Sequence, residues 1–177
     1  LAKFYRVSGQ STQHQGVVPD ITYPSIIDTK EIGESALPEA MPWDSIKPAI
    51  KPAIDPFKPF LAQLQSRHES RSAKDAEFVF IENRLALAKQ LMNEKTVSLN
   101  EADRRAEHAS IEARQLALEN ARRKAKGEEP LKELKKEDED ALPVEDENAK
   151  PEDDAYLSET GRILIDYLGL SASVAKK

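Results

Sequence analysis

The chain contains three histidines, and their spacing gives no sign of a catalytic or metal site. His14, His68 and His108 lie far apart, and no two of them have the helical spacing of a zinc motif such as H-E-x-x-H. His68 and His108 fall in polar helical segments, so we expect both side chains to be solvated on helix surfaces. The chain has no cysteine, which excludes a thiol nucleophile, a Cys-based zinc site and a disulfide framework within it.

Serine chemistry has no better support in the sequence. A serine nucleophile needs a positioned base and an oxyanion hole, and the chain has no G-x-S-x-G turn. Ser72 and Lys74 are close in sequence, but a lysine base must be desolvated and the surrounding residues are polar. We therefore assign this pair to a helix end. The sequence predicts no catalytic residue, no metal site and no cofactor in this chain.

Charged residues make up 33% of the chain and separate into acidic and basic segments. Ten of the 18 residues from Glu137 to Asp154 are acidic, which predicts a solvated loop rather than a pair of catalytic carboxylates. Arginine and lysine cluster at 104–105, 114 and 122–124. We expect this basic flank to pair within the chain or, alternatively, with a partner. The net charge of −6 argues against a general nucleic-acid binder.

At 177 residues the chain has room for one ordinary domain, and its 6% aromatic content limits the core. No apolar run approaches the roughly 20 residues that span a bilayer, and no signal segment opens the chain. The chain begins at Leu1 in residues typical of the middle of a domain. We therefore expect an N-terminal portion, with any targeting signal, to precede it.

The N-terminal residues predict a short β segment. Residues 1–7, which include Phe, Tyr and Val, favour a strand that stops at the turn signal of Gly9. Residues 16–21 predict a second extended segment around Pro19. Because two such strands are marginally stable alone, we interpret residues 1–24 as the edge of a larger sheet.

A proline-rich linker is predicted at residues 25–54. The stretch from Tyr23 to Pro59 contains seven prolines, which exclude long helices and favour an extended connector. It also contains the only tryptophan, Trp43. We expect this side chain to anchor the linker to a neighbouring core rather than to form a ligand platform.

Helical signals begin at Asp55. With Asp55 as N-cap and Pro56 as its first residue, a helix is predicted to run to about Ser72. A second helix should start at Asp75, because apolar residues then recur at steps of three and four. These residues form the best core candidate and are Phe78, Ile81, Leu85, Ala88 and Met92.

A third helix is predicted from the capping residues Ser98 and Asn100 to Lys126, with Gly127 as its stop. Its apolar positions are mainly alanines, which bury little area, so it must either pack closely on a partner or remain solvated. A fourth helix is predicted from about Ala155 to the stop at Gly169, docked against the second helix. Its apolar face would consist of Leu157, Ile163, Leu164, Tyr167 and Leu168.

The predicted fold is therefore mainly α. A helical domain of about four helices occupies residues 55–170 and includes the acidic loop 137–154. It follows the β segment 1–24 and the linker 25–54, and residues 171–177 form a tail.

Several segments resemble carboxyl-terminal processing peptidases. The last strands of the protease domain in that family are similar to Ala2-Lys3-Phe4-Tyr5-Arg6-Val7-Ser8-Gly9-Gln10-Ser11-Thr12-Gln13 and Gly16-Val17-Val18-Pro19-Asp20-Ile21. The C-terminal extension of its tail-specific branch is similar to Ala36-Leu37-Pro38, Pro42-Trp43-Asp44-Ser45-Ile46 and Val97-Ser98-Leu99-Asn100. His14 and Gln15 stand where relatives often have basic residues, and residues 132–154 match loosely.

The resemblance implies a protease parent. In that family a serine nucleophile works with a lysine general base, both upstream of the Lys-Phe-Tyr strand, and no position here matches either. The catalytic residues and a PDZ domain are thus expected upstream of Leu1, and this fragment should be inactive alone. The implied parent is a periplasmic serine endopeptidase that recognises proteins by unstructured, apolar C-terminal tails. Association with the inner membrane through that parent is a further expectation.

Three functions remain open for the chain itself. The leading hypothesis is an accessory domain that packs on the protease body and shapes an enclosure for unfolded substrates. An alternative is an interaction module that recruits an adaptor or envelope partner through the charged third helix. A complete small enzyme is the third hypothesis, and it alone predicts turnover by the isolated fragment.

Overall fold

The computed structural model describes residues 3–25, 32–49, 55–134 and 154–175. Its helices are α1 (Leu61–Ser72), α2 (Ala76–Met92), α3 (Glu101–Lys126) and α4 (Ala155–Ala175), after a short 3-10 turn at Glu34–Ala36. The mainly helical class is therefore confirmed. The chain divides into two compact units, residues 1–65 and 66–177. The predicted acidic loop lies outside the described residues except for Asp154.

In the first unit, β pairing among the described residues consists of two isolated antiparallel bridges, Tyr5 to Ser11 and Gln10 to Ser45. The predicted β segment is therefore not confirmed as a pair of strands. Gly9 occupies the centre of this arrangement, with φ +84°, and its carbonyl accepts a hydrogen bond from the amide of Ile46 at 2.8 Å. A Cβ at Gly9 would lie 2.1 Å from the carbonyl oxygen of Ile46, so the close approach requires glycine.

The proline-rich segment is held to the N-terminal turn by its backbone and by Asp44. The amide of Ser11 donates to the carbonyl of Asp44, and the Asp44 carboxylate accepts from Lys3 Nζ at 3.0 Å and from the Tyr5 hydroxyl at 3.3 Å. Trp43 is 40% exposed. The described residues therefore do not enclose Trp43 in a core, and the predicted anchoring is not confirmed. Backbone hydrogen bonds of Asp44, Ile46 and Ala49 hold the segment instead.

The first helix begins later than its sequence signals predicted. Asp55 does cap a turn, since its carboxylate accepts from the amide of Phe57 at 2.9 Å, but α1 starts only at Leu61. Pro59 explains the delay, because it lacks an amide hydrogen and disfavours the helical conformation of the residue before it. The predicted end at Ser72 is confirmed.

The predicted start of α2 is confirmed, whereas its core face was only partly correct. The side chain of Asp75 accepts from the amides of Glu77 and Phe78, as an N-cap does. Phe78 is buried at 1% exposure, but Met92 is 56% exposed and the second buried residue is Leu87. The helix is covered from two directions, by α3 and by the N-terminal end of α4, so a single stripe does not describe its core.

The limits of α3 are those predicted. Asn100 accepts from the amide of Ala102 at 2.8 Å, and Gly127 ends the helix in the left-handed conformation with φ 76°. The helix runs antiparallel to α2, because Lys126 reaches Glu77 near the start of α2 and Arg114 reaches Gln90 near its end.

The fourth helix is longer than predicted. Asp154 caps it by accepting from the amides of Tyr156 and Leu157 at 2.8 and 3.0 Å, and the helix continues through Gly169 to Ala175. A glycine inside a helix costs only about 1 kcal/mol, and Leu170, half-buried beyond it, favours continuation. Among the described residues, no helix is both long and apolar enough to cross a membrane.

Candidate functional site

The second unit contains a cluster of charged side chains that joins α1 to α4, which we call the α1–α4 polar cluster. Its members occupy one side of each helix, at spacings of three, four and seven residues. They are Arg67, His68 and Arg71 from α1 and Glu159 and Asp166 from α4. The two sets of residues lie about 90 positions apart in sequence, so the cluster exists only in the folded chain.

Glu159 lies at the centre of the cluster and is 1% exposed. Its Oε1 accepts from Arg71 Nη2 at 2.7 Å and lies 3.1 Å from His68 Nδ1, while Arg71 Nε lies within 3.2 Å of both carboxylate oxygens. Burial would raise the pKa of Glu159, but the hydrogen bonds and charges of Arg71 and His68 outweigh it and hold the pKa below its ordinary value of 4.5. Glu159 is therefore an ionised, saturated acceptor, to which His68 donates from Nδ1.

Asp166 forms the second half of the cluster, two helical turns further along α4. It accepts from Arg67 and from Arg71, each at 2.5 Å. Burial opposes ionisation of Asp166, but these two guanidinium bonds leave its pKa below the ordinary value of 3.8. Arg71 thus bridges two carboxylates, and its own pKa is raised, mainly by the hydrogen bond to Glu159.

Aromatic rings close one side of the cluster. The ring of Phe78 meets the His68 ring and the Tyr156 ring edge-on, with centroids 5.7 Å apart in both pairs. Burial, with a smaller effect of the Asp154 charge, raises the pKa of the Tyr156 hydroxyl. The contact between Phe78 and Tyr156 confirms that α4 docks against α2. A buried carboxylate with these neighbours is suited to fixing how the two helices are arranged, since its oxygens are already occupied by donors of α1.

The structure corrects the prediction for one histidine and confirms it for another. His68 was expected to be solvated but is 5% exposed, because its ring is enclosed between Glu159 and Phe78. His108 is exposed as predicted, with its ring 3.5 Å from Glu112 one turn away. The signal that was missed is the occurrence of His68 and Arg71 on one side of α1, matched by two acids seven residues apart on α4.

The orientation of α4 also differs from the prediction. The inward side carries the acids Glu159 and Asp166 with the half-buried Ile163 and Tyr167. The opposite side, which we call the outer face of α4, carries Leu157, Leu164, Ile165 and Leu168, exposed at 52%, 54%, 69% and 56%. The predicted apolar face was thus wrong for its three leucines. The ion pairs to α1 turn the acids inward and leave the leucines outward.

The basic flank of α3 pairs largely within the chain, which is the first of the two alternatives that the sequence predicted. Arg105 binds Glu101 and Arg104 binds Glu107 within the helix. Near the other end, Arg122 lies 3.6 Å from Glu77 and stacks over the Phe80 ring at 4.9 Å. Every residue from Glu101 to Ser110 is exposed, so the N-terminal half of α3 is solvated.

Comparison with known proteins identifies the family. Residues 27–169 match the family described as the C-terminal domain of tail specific protease (DUF3340). The chain is also 36% identical over 171 residues to the tail-specific protease of Haemophilus influenzae. The match covers 95% of this chain and 23% of that protein, so the chain spans about a quarter of its relative's length. The sequence resemblance to the tail-specific branch is thereby confirmed, and the chain belongs to the family of C-terminal domains of tail-specific proteases.

Proposed function

We propose that this chain is the non-catalytic C-terminal domain of a periplasmic, serine-type tail-specific endopeptidase. In this proposal it acts as a scaffold that shapes the enclosure around protein substrates with unstructured, apolar C-terminal tails. The Ser/Lys dyad and the PDZ domain belong to other parts of that protease. The observation that carries the proposal is the saturation of the α1–α4 polar cluster by its own ion pairs, in a chain of this family.

The polar cluster supports a scaffold role because its groups are committed to one another. Glu159 accepts from Arg71 and His68, and Arg162 lies 3.6 Å from its second oxygen. Asp166 accepts from Arg67 and Arg71. A general base must present a lone pair to a bound substrate, but His68 is 5% exposed and its ring packs against that of Phe78, so a substrate has little access to it. The cluster instead fixes the angle between α1 and α4 and so holds the surface they present.

The scaffold role is tested by deleting residues 75–127 from the full-length protease. Two substrates are compared: a folded protein with an apolar, unstructured C-terminal tail, and a short peptide that needs no enclosure. We expect kcat/KM to fall at least tenfold for the tailed protein and less than twofold for the peptide. Unchanged cleavage of the tailed protein would contradict the scaffold role.

A peptidase assay on the isolated chain separates the scaffold from a complete small enzyme. We expect no hydrolysis of either substrate above the uncatalysed rate. Turnover that is lost in a His68→Ala variant, but retained in a His108→Ala variant, would overturn the proposal and assign catalysis to the buried histidine.

The second candidate function is recruitment of an adaptor or envelope partner through α3. The specific observation in its favour is the exposure of all ten residues from Glu101 to Ser110. Arg114 already lies opposite Gln90, so α3 extends about 15 Å past the end of α2 at the usual helical rise. A charged helix with no covering partner among the described residues is typical of an element that bridges to another molecule.

Charge reversal on this extension tests the second candidate. The double variant Arg104→Glu/Arg105→Glu in the full-length protease should leave cleavage unchanged but weaken binding of a purified envelope partner, measured by calorimetry. Lys89→Glu, on the exposed side of α2, is the matched control. Equal affinity of both variants for the partner would exclude α3 as its site.

A further inference from the structure

Helix α4 exposes leucines and buries acids, which is the reverse of the usual pattern in a surface helix. A surface helix directs its apolar stripe to the core and its charges to water. In α4, Glu159 and Asp166 form ion pairs with Arg71 of α1. The exposed residues Leu157, Leu164 and Leu168 face solvent. These leucines follow the spacing i, i+7, i+11, so they form one continuous stripe along three turns.

The outer face is apolar and sterically open at Gly161. Gly161 lies within the stripe between Leu157 and Leu164, and a Cβ there would meet no atom within 4 Å. A neighbouring element can therefore approach the helix backbone closely at this point. The stripe itself contains no charged residue, so electrostatic attraction contributes little to its recognition, and the contact depends on apolar burial.

The apolar area of the outer face indicates which kind of partner can cover it. Four aliphatic side chains exposed by more than half present on the order of 400 Å², comparable to the largest apolar patch of a typical monomer. A stable association between separate proteins needs about 800 Å² on each partner. The outer face alone is therefore too small to hold a second copy or a freely diffusing partner. It is sufficient for a contact within one chain, where the connection between the parts raises their effective concentration.

We propose that the outer face of α4 is the surface by which this domain packs against the remainder of its own protease chain. The inference rests on the proposed function, since it requires the domain to be part of a larger protease. The matched region covers 23% of the relative, so about three-quarters of that protein's length lies outside it. The polar cluster then has a second role: by turning the acids inward, it directs the leucine stripe at the protease body. Arg71 and Glu159 are positioning residues for that contact.

Thiol labelling in the full-length protease tests this packing surface. This chain has no cysteine, so Leu164→Cys and Leu168→Cys each introduce one unique thiol into it, and peptide mass mapping assigns the label. Ala106→Cys, on the solvated half of α3, is the exposed control. Rates of maleimide labelling are divided by the rate of the same variant in urea, which removes differences in intrinsic reactivity.

We expect labelling at positions 164 and 168 to be at least tenfold slower than at position 106. Equal normalised rates would overturn the proposal. Protection that disappears on dilution would overturn it in favour of a second copy, and protection that requires an added apolar tail peptide would overturn it in favour of substrate.

The two proposals fail separately. Protection at position 164, together with unchanged cleavage after deletion of residues 75–127, would support the packing surface on α4 and contradict the scaffold role. Unprotected labelling at position 164, together with lost cleavage of tailed proteins after that deletion, would contradict the packing surface on α4 and support the scaffold role.

Discussion

His68 Nδ1 lies 3.1 Å from Oε1 of Glu159, a residue 91 positions later in the chain, and both side chains are almost fully buried. This pair, together with the hydrogen bonds from the Arg71 guanidinium to Glu159 and Asp166, connects α1 to α4 in the second unit. The energetic consequence is asymmetric. An intact buried ion pair contributes little net stability, but removing one partner leaves the other charge buried without compensation.

Replacement of Glu159 should therefore be strongly destabilising. We expect Glu159→Ala to lower the free energy of unfolding by about 3 kcal/mol, because it removes the acceptor of His68 Nδ1 and one of the two carboxylates that bind the part-buried Arg71. Glu112→Ala, which removes an exposed acid one turn from His108, should change it by less than about 0.5 kcal/mol. Urea unfolding followed by circular dichroism measures both, and equal effects would contradict the assignment of the cluster.

Acid should weaken the second unit through Glu159 and Asp166. Both have a folded-state pKa below the ordinary values of 4.5 and 3.8, so their contribution is fully present above those values and is lost as pH falls through the folded-state pKa. We expect the urea midpoint to fall as pH drops from 5 toward 2. In Glu159→Gln the midpoint should depend less on pH over that interval. An unchanged slope in the variant would show that other carboxylates cause the loss.

The turn at Gly9 should not tolerate a side chain. Gly9→Ala places a Cβ 2.1 Å from the Ile46 carbonyl oxygen at a positive φ, so we expect a cost of about 3 kcal/mol in the first unit. Gly16→Ala is the matched control, since it has φ 63° and open space around it, and should cost about 1 kcal/mol. Hydrogen exchange of the Ile46 amide, which donates to Gly9, should accelerate in the first variant only.

The two roles of Asp75 are separable by substitution. Its carboxylate caps α2 and lies 3.3 Å from Arg162 Nη1. Asp75→Asn keeps a capping oxygen and loses only the partly exposed ion pair, so we expect a cost below about 0.5 kcal/mol. Asp75→Ala loses both and should cost about 1.5 kcal/mol. Thermal unfolding distinguishes them, and equal costs would mean that the ion pair, not the cap, stabilises the helix start.

The sequence by itself determined where most helices begin and end. Asp75, Asn100 and Gly127 act on amides and carbonyls within a few residues, so their effect depends only on local sequence. Pro59 is a local signal of the same kind, and α1 begins after Pro59 rather than at the Asp55 cap. The family could also be inferred from short matching segments, as the comparisons confirmed.

Only the tertiary structure decided which side of each helix is buried. Leucine is ordinarily the inward residue and glutamate the outward one, and that rule predicts that the leucines of α4 lie inside. The ion pairs of Glu159 and Asp166 with α1 reverse the rule, because about 90 residues separate the partners and no periodicity within one helix reports them. The burial of His68 has the same origin, since its environment is supplied by Phe78 and Glu159 from two other helices.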